Sequence, residues 1–357
     1  MARTIGTSVY GLRAPIVKQG DDLIQIVVDT VLNSGLEIKD KDVLGITESI
    51  VARCEGNYVT IDEVADEIKR ISNNADVIAV YRPIYSRNRF AMILKAIARA
   101  AGKKVYIKMT SYDEVGNVVR NHPFTGLNYD DYYKSIVEGE GKECTIVSDV
   151  TDGQIPEDFK NSFEIDARMY FSTKDSDVQE DYCTLANICA NKCEYGLYGS
   201  NKASEEMLKL FPSKNYAQNL VEKVQGKIYT ETGKKIEVMV YGDGCFKDPV
   251  GGIWEFADPI VSPAYTPGLE GTPNEIKIKN FADEKYKDLT GQDLNDAIKS
   301  EIKAKDSNLK GSMNSQGTTP RRYTDLLGSL MDLTSGSGDK GTPFVYVQGY
   351  FDNLANE

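Results

Sequence analysis

Residues 75–109 read ADVIAVY, a polar loop, RFAMILKAIARAAG and then KKVYIKM, and this succession constrains the fold more than any other stretch. The outer runs are apolar and rich in β-branched residues, as strands are. The middle run repeats its apolar positions at helical spacing. Strand, helix and strand in this order make a parallel crossover, so the chain contains a sheet with helices packed on it. Upstream, Gly20-Asp21-Asp22 leads into a helix over LIQIVVDTVL, and Asp42–Thr47 is a short apolar run readable as a buried strand. Thr60-Ile61-Asp62-Glu63 is a capping box for a further helix.

Residues 111–180 are rich in Asp, Glu, Gly and Tyr and predict an irregular inserted region, with a short helix near Tyr129–Val137 and a strand near Cys144–Val147. Regular patterning then predicts helices near Ser204–Leu210 and Asn215–Thr232, the strand KIEVMVYG, a helix near Leu294–Lys305, and a closing helix, glycine turn and strand. The Gly/Pro-rich stretch Gly242–Pro273 reads as long functional loops rather than core, and residues 305–318 as a polar connection. The expected fold is α/β (mixed α+β) and two-lobed, a parallel or mixed sheet with packed helices and long glycine-rich loops. Its parts would be an N-terminal α/β part (1–110), an inserted region (111–185) and a C-terminal part (186–357).

A length of 357 residues agrees with about two domains. With 42 basic and 54 acidic residues the net charge is −12, which argues against nonspecific binding to nucleic-acid backbones or anionic lipid. His122 is the only histidine, so multi-histidine zinc sites are excluded. Neither a signal-peptide core nor a membrane-length apolar run is present, so the expectation is a soluble, cytoplasmic protein. Cys183, Cys189 and Cys193 match neither zinc-ribbon nor ferredoxin spacing; they are ordinary thiols or, alternatively, a metal or redox group.

Three segments carry candidate chemistry. The turn Gly336-Ser337-Gly338-Asp339-Lys340-Gly341 follows a helix and precedes a strand, the reverse of a dinucleotide fingerprint. Its amides either cradle a phosphate or simply turn the chain. Arg82, Arg87, Asn88 and Arg89 lie between the first crossover strand and its helix, where open sheets bind ligands. They either hold a carboxylate or phosphate or balance an acidic surface. Asp243 follows the strand KIEVMVYG between two glycines, with Asp248, Glu255 and Asp258 after it, either a Mg²⁺ or Mn²⁺ site or a solvated acidic loop.

Several segments, in order, resemble the coenzyme F-420:L-glutamate ligase (gamma-glutamyl ligase) family: YGLRAPIVKQGDDLIQIV with IKDKDVLGITESIVARCEGN, then NICANKCEYGLYGSN, KIEVMVYGDGCFKDP, and TDLLGSLMDLTSGSGDKGTPFVYVQG. The resemblance covers roughly residues 8–60 and 186–350. It implies a homodimeric ligase that uses GTP (or ATP) and Mg²⁺ or Mn²⁺ to activate a carboxylate as an acyl phosphate, which a glutamate amine attacks. Matched residue by residue, it places Ala14, Pro15, Ile16, Val17, Glu48, Ser49, Arg53, Asn201 and the turn Gly336, Ser337, Gly338 and Asp339 at the nucleotide. Asp243 falls at a metal aspartate, and Arg53 at a phosphate-side lysine. Departures are equally specific. Tyr198 stands where the family has a second aspartate, Gly244 replaces a threonine, and Lys247 is the nearest base to a displaced arginine. Glu194 or Asp248 is then the carboxylate available to complete a metal site, and Arg82, Arg87 and Arg89 the groups available to an anionic acceptor.

Overall fold

The computed structural model describes residues 4–81, 87–109, 121, 126–148, 156–167, 180–242, 246–247, 254–255, 261–273, 275–305, 322–336 and 338–356. In chain order the elements begin β1 (Ser8–Leu12), α1 (Leu23–Leu32), β2 (Val43–Thr47), α2 (Glu48–Glu55), β3 (Tyr58–Thr60), α3 (Ile61–Ile71), β4 (Val77–Tyr81), α4 (Arg87–Ala100) and β5 (Lys104–Met109). Next come α5 (Tyr129–Gly139), β6 (Glu143–Ser148), α6 (Glu157–Lys160), β7 (Phe163–Asp166), β8 (Tyr182–Thr184), β9 (Asn201–Ser204) and β10 (Met207–Lys209). Then follow α7 (Lys214–Thr232), β11 (Glu237–Gly242), β12 (Phe246–Lys247), β13 (Trp254–Glu255), β14 (Val261–Tyr265), α8 (Ile278–Asn280), α9 (Gly291–Ala304), α10 (Tyr323–Ser335) and β15 (Phe344–Gln348). Among the described residues no helix is long and apolar enough to cross a membrane.

The chain divides into two compact units, the first formed by Met1–Ile16, Asp22–Thr47 and Ala217–Glu357, the second by Val17–Asp21 and Glu48–Tyr216. The boundaries therefore differ from the three consecutive parts expected from sequence: the second unit is inserted between two strands of the first.

Unit 1 is built on a five-stranded mixed sheet in the order β1-β15-β2-β11-β14. Its centre is a parallel pair, β2 with β11, in register from Val43↔Glu237 to Thr47↔Tyr241. Every residue of β11 is buried, the pattern of a strand covered on both faces. Helix α10 packs on this sheet through Leu327 and Met331 against Val43, Met239, Tyr241 and Val345. Gly45 permits that approach, because a Cβ there would stand 2.1 Å from the Met331 sulfur. The Gly242–Pro273 stretch is not wholly loop. Residues 261–265 form β14, an edge strand antiparallel to β11, and Ala264, Thr266 and Leu269 are buried. Pro263 does not break this strand because an edge strand has one side without a partner.

Unit 2 holds a five-stranded sheet in the order β6-β5-β4-β7-β8, with all four pairings parallel. Taken in chain order its strands lie third, second, first, fourth, fifth, the doubly wound arrangement whose strand order reverses beside the first strand. The expected crossover β4-α4-β5 is its first half. The helix and strand expected inside an irregular insert are α5 and β6, which extend this same sheet. A second, antiparallel sheet β3-β10-β9 completes the unit. It corrects the helix expected near Ser204–Leu210: the run Met207-Leu208-Lys209 pairs with Thr60-Val59-Tyr58, and a short apolar run cannot reveal from its own periodicity that a strand partner exists.

The capping box is present at α3, with the Thr60 hydroxyl accepting from the Glu63 amide and Glu63 accepting from the Thr60 amide. An ion-pair network ties four segments of unit 2 together. Arg99 on α4 meets Glu140 at 3.0 Å, Glu206 at 2.8 Å and Asp62 at 2.9 Å, while Lys95 reaches Glu206 at 2.5 Å. Hydrogen bonds from Arg99 and then Lys95 hold the Glu206 carboxyl down at about 2, against an ordinary 4.5. A carboxylate depressed in the folded state contributes stability that is complete above pH 4.5 and disappears as the pH falls towards 2. Glu206→Gln should therefore lower the neutral plateau of a melting-temperature profile and so flatten its acid limb in that window, by a modest amount because Glu206 is half-exposed. An acid limb as steep as that of the parent would show that the network does not hold in solution.

Candidate functional site

In unit 1, β2 and β11 end side by side at Thr47 and Gly242, and the turn after α10 lies at the same edge, because β15 starts there opposite Ile46. The Thr47 amide donates to the Pro343 carbonyl at 3.0 Å, and the Ala14 amide to the Gly341 carbonyl at 3.2 Å. Two of the segments singled out from sequence, Ala14–Ile16 and the glycine turn, are thus brought together. Gly336 caps α10 at φ 61, ψ −151, and Gly341 has φ 65, conformations that suit glycine alone. Gly338-Asp339-Lys340 forms one exposed turn of 3-10 helix, with the Lys340 side chain folded back over Gly336. Ala14 is half-buried, while Pro15 and Ile16 are exposed, Ile16 at 82%. Lys247 falls on β12, opposite Trp254. Ser337, Asp243, Gly244, Asp248 and Asp258 lie outside the described residues, as do His122 and Cys245.

In unit 2, helix α2 begins at Glu48, which is buried and paired with buried Lys209 at 2.7 Å. Lys209 stands opposite Asn201 in the β10–β9 register. Glu48 and Asn201, both singled out, therefore share a neighbourhood with a lysine that the sequence reading placed on a helix. Its signal was a single cation inside the apolar run MLKLF. Val17 is buried, whereas Ser49, on the first turn of α2, and Arg53, on its last, are exposed. The segment NICANKCEYGLYGSN packs close by. Asn57, just after α2, donates to the carbonyls of Phe211 at 2.7 Å and Lys192 at 3.3 Å. Burial pushes the Cys193 thiol up to about 11, and the carboxylates of Glu194, Glu55 and Glu48 are near enough to add to the rise. Gly199 is required where it stands: with φ 66, a Cβ there would lie 1.9 Å from the Phe211 ring.

Glu194 is exposed, and among the described residues no group of three or more His, Cys, Asp or Glu converges on a point that could hold a metal. Ligation by Glu194, and by Asp243 and Asp248 outside the described residues, stays an expectation from sequence. Burial also pushes Cys183 and Cys189 up to about 12, so the three cysteines are buried, protonated thiols. The arginine loop changes character as well. Arg87 opens α4, Arg89 sits within its first turn and is buried at 3%, and Arg82 lies outside the described residues.

The sequence matches the F420-0:Gamma-glutamyl ligase family over residues 11–349, and the chain belongs to that family. It is similar to coenzyme F420:L-glutamate ligase of Methanothermobacter thermautotrophicus, 31% identical over 61 residues, which are 17% of this chain and 24% of that protein. It is also similar to an uncharacterized protein of Methanocaldococcus jannaschii, 34% identical over 50 residues, 14% of this chain and 17% of that one. Each likeness thus spans a quarter or less of the relative's own length.

The buried Glu48–Lys209 pair gives a direct test of this part of the site. Removing Lys209 takes its cation away from a buried carboxylate, so Lys209→Met should cost about 3–5 kcal/mol in chemical denaturation of the full chain. Lys209→Met combined with Glu48→Leu should recover most of that loss. A single-variant cost under about 1 kcal/mol would mean that the two charges are solvated.

Proposed function

We propose that the protein is a nucleotide-dependent ligase that forms an amide of the gamma-glutamyl type. The observation that carries this reading is the family match over nearly the whole chain, joined to a glycine turn tied by a hydrogen bond to the Ala14 segment. In the reaction, an acceptor carboxylate takes the terminal phosphoryl group of GTP or ATP to give an acyl phosphate and nucleoside diphosphate. The amine of glutamate then attacks the acyl carbon, releasing inorganic phosphate and a proton. Two anions must meet, so cations close to the phosphates lower the barrier.

On this reading Arg53, Asn201, Glu48, Ser49 and the segments Ala14–Val17 and Gly336–Asp339 serve the nucleotide. Asp243 and Lys247 serve the phosphoryl group, and Arg82, Arg87 and Arg89 the acidic acceptor. Mg²⁺ or Mn²⁺ would supply charge neutralisation, but the described residues gather no ligand set that fits one, so no step is assigned to it. The protein would act as a homodimer in the cytoplasm.

The test is phosphate release from GTP or ATP with glutamate and candidate acceptors, Mn²⁺ present. Asp243→Asn should abolish turnover; normal turnover in that variant would remove Asp243 from the mechanism. A second reading, a nucleotide- or metabolite-binding protein without ligase chemistry, is favoured by Tyr198 and Gly244 at family metal-side positions. Titration calorimetry separates the two: nucleotide binding that needs no divalent metal, with no turnover for any acceptor, would favour the second.

A further inference from the structure

The unit 1 sheet carries a cleft of about 640 Å³ at the end away from the glycine turn, where β1 begins, β15 ends and the chain enters β2. Its lining residues all belong to unit 1 and all lie among the described residues. Asp42, at the entry to β2, is about 16 Å from Thr47 at the rise of an extended strand. A nucleophile has to stand within about 3.5 Å of the carbon it attacks, so a molecule held in this cleft is no reactant at the glycine-turn edge.

Strand alternation decides what faces the cleft. Val9, Val43 and Val347 turn towards α10, so Ser8, Tyr10, Asp42 and Gln348 beside them turn to the other face and form the floor. Ser8 is in register with Gln348, whose side-chain amide donates to Asp42 at 3.0 Å. Asp42 is 2% exposed, and its hydrogen bonds all fall on Oδ2. Besides Gln348 the donors are the Tyr346 hydroxyl at 3.1 Å and the Lys39 amide at 2.9 Å. These bonds fix the carboxylate, and among the described residues none reaches its Oδ1. A buried carboxylate oxygen beside a cleft calls for a donor. Asp40 is already committed, accepting from the Lys235 amide at 2.8 Å. Of the two lysines on the rim, Lys39 reaches Glu37 at 3.6 Å, whereas the Lys41 ammonium has no partner among the described residues. Lys41 is held at φ 68, and its amide donates to the Lys235 carbonyl at 2.9 Å. The remaining wall is apolar, with Ile5, 66% exposed, and Phe351.

We propose that this cleft is a second binding site and that it takes a free α-amino acid with a large apolar side chain. The ammonium of the amino acid donates to Asp42 Oδ1, its carboxylate meets Lys41, and its side chain lies against Ile5, Tyr10 and Phe351. A simple amine would set a second positive charge beside Lys41, and a simple carboxylate a second negative charge beside Asp42. A zwitterion answers both groups at once. The volume is that of a small-molecule site and leaves room for a side chain beyond the two charged groups. The inference stands apart from the ligase reading and does not need it.

Calorimetric titration of the full chain with L-phenylalanine and L-leucine tests it. Phenethylamine and isopentylamine serve as the analogues without a carboxylate, 3-phenylpropanoate and 4-methylpentanoate as those without an ammonium. At least one amino acid should bind, and its two analogues should bind about tenfold more weakly or worse, each having lost a charge-assisted hydrogen bond. Excess GTP or ATP should leave the binding in place. Lys41→Gly removes the cation at a backbone angle that suits glycine, so it should fold at least as stably as the parent. It should bind the amino acid about three- to tenfold more weakly and narrow its preference over the amine. Asp42→Asn should narrow the preference over the acid; if that buried substitution prevents folding, Lys41→Gly carries the test alone. No binding of either amino acid at millimolar concentration would overturn the proposal. So would an amine or acid analogue that binds as tightly as its parent, displacement by nucleotide, or undiminished binding in Lys41→Gly.

Discussion

Unit 1 depends on one pairing, the parallel alignment of Val43–Thr47 with Glu237–Tyr241. All of Glu48–Tyr216 lies between these strands in sequence, so the pair closes a very long loop before any contact repays it. Two features offset that cost. The strands are buried almost throughout, and Gly45 lets α10 settle directly onto them. The first residue of β11 is also held from its far side: buried Glu237 accepts from Gln225, from the Gly268 amide at 3.2 Å and from the Thr266 hydroxyl. With Thr47 fixed opposite Tyr241, the glycine turn has one place to go, since β15 must enter the sheet beside Ile46.

Unit 2 meets the same topological demand by local means. Each of its first two parallel pairings is reached through a helix, and the turns from helix to strand are only three residues long. A scaffold of this kind holds its carboxyl edge rigid from below while leaving it open to change, which is the condition for positioning a binding residue accurately.

Much of this was legible, and what was not has identifiable causes. Helix α1, the capping box of α3 and the β4-α4-β5 crossover follow from local pattern because each carries its whole signal within one element. Strands β7 and β8 do not, since Phe163–Asp166 and Tyr182–Thr184 are shorter than any period can establish. The doubly wound sheet was therefore seen only as its first half, and its other strands were read as an insert. Hairpin β9–β10 failed for a related reason: Leu208 is buried by a partner strand nearly 150 residues away in the chain, at Val59. At the site, the glycine positions were visible as glycines, but their steric causes were not: Phe211 closes on Gly199, and Gly336 and Gly341 take positive φ. The Glu48–Lys209 pair was invisible because each residue, read alone, is an ordinary surface type.

With a net charge of −12, a protein that holds an anion must concentrate positive charge locally, and the structure restricts where that charge is free to act. Lys209 already faces Glu48, and Arg322, at the end of α10 away from the glycine turn, already holds buried Asp325 at 2.8 Å. Their positive charge is matched before any ligand arrives. An anion docking against Lys209 would have to share that cation with Glu48, and two negative groups around one lysine repel each other more strongly where solvent is excluded. Such a site binds anions well only if a further positive charge enters with the ligand or a proton is taken up. Exposed Arg53 does not supply that charge by burial, because solvent screens it. The acidity of the chain is thus a local property as well as a global one, and any anion held beside Lys209 would depend on the positive charge that accompanies it.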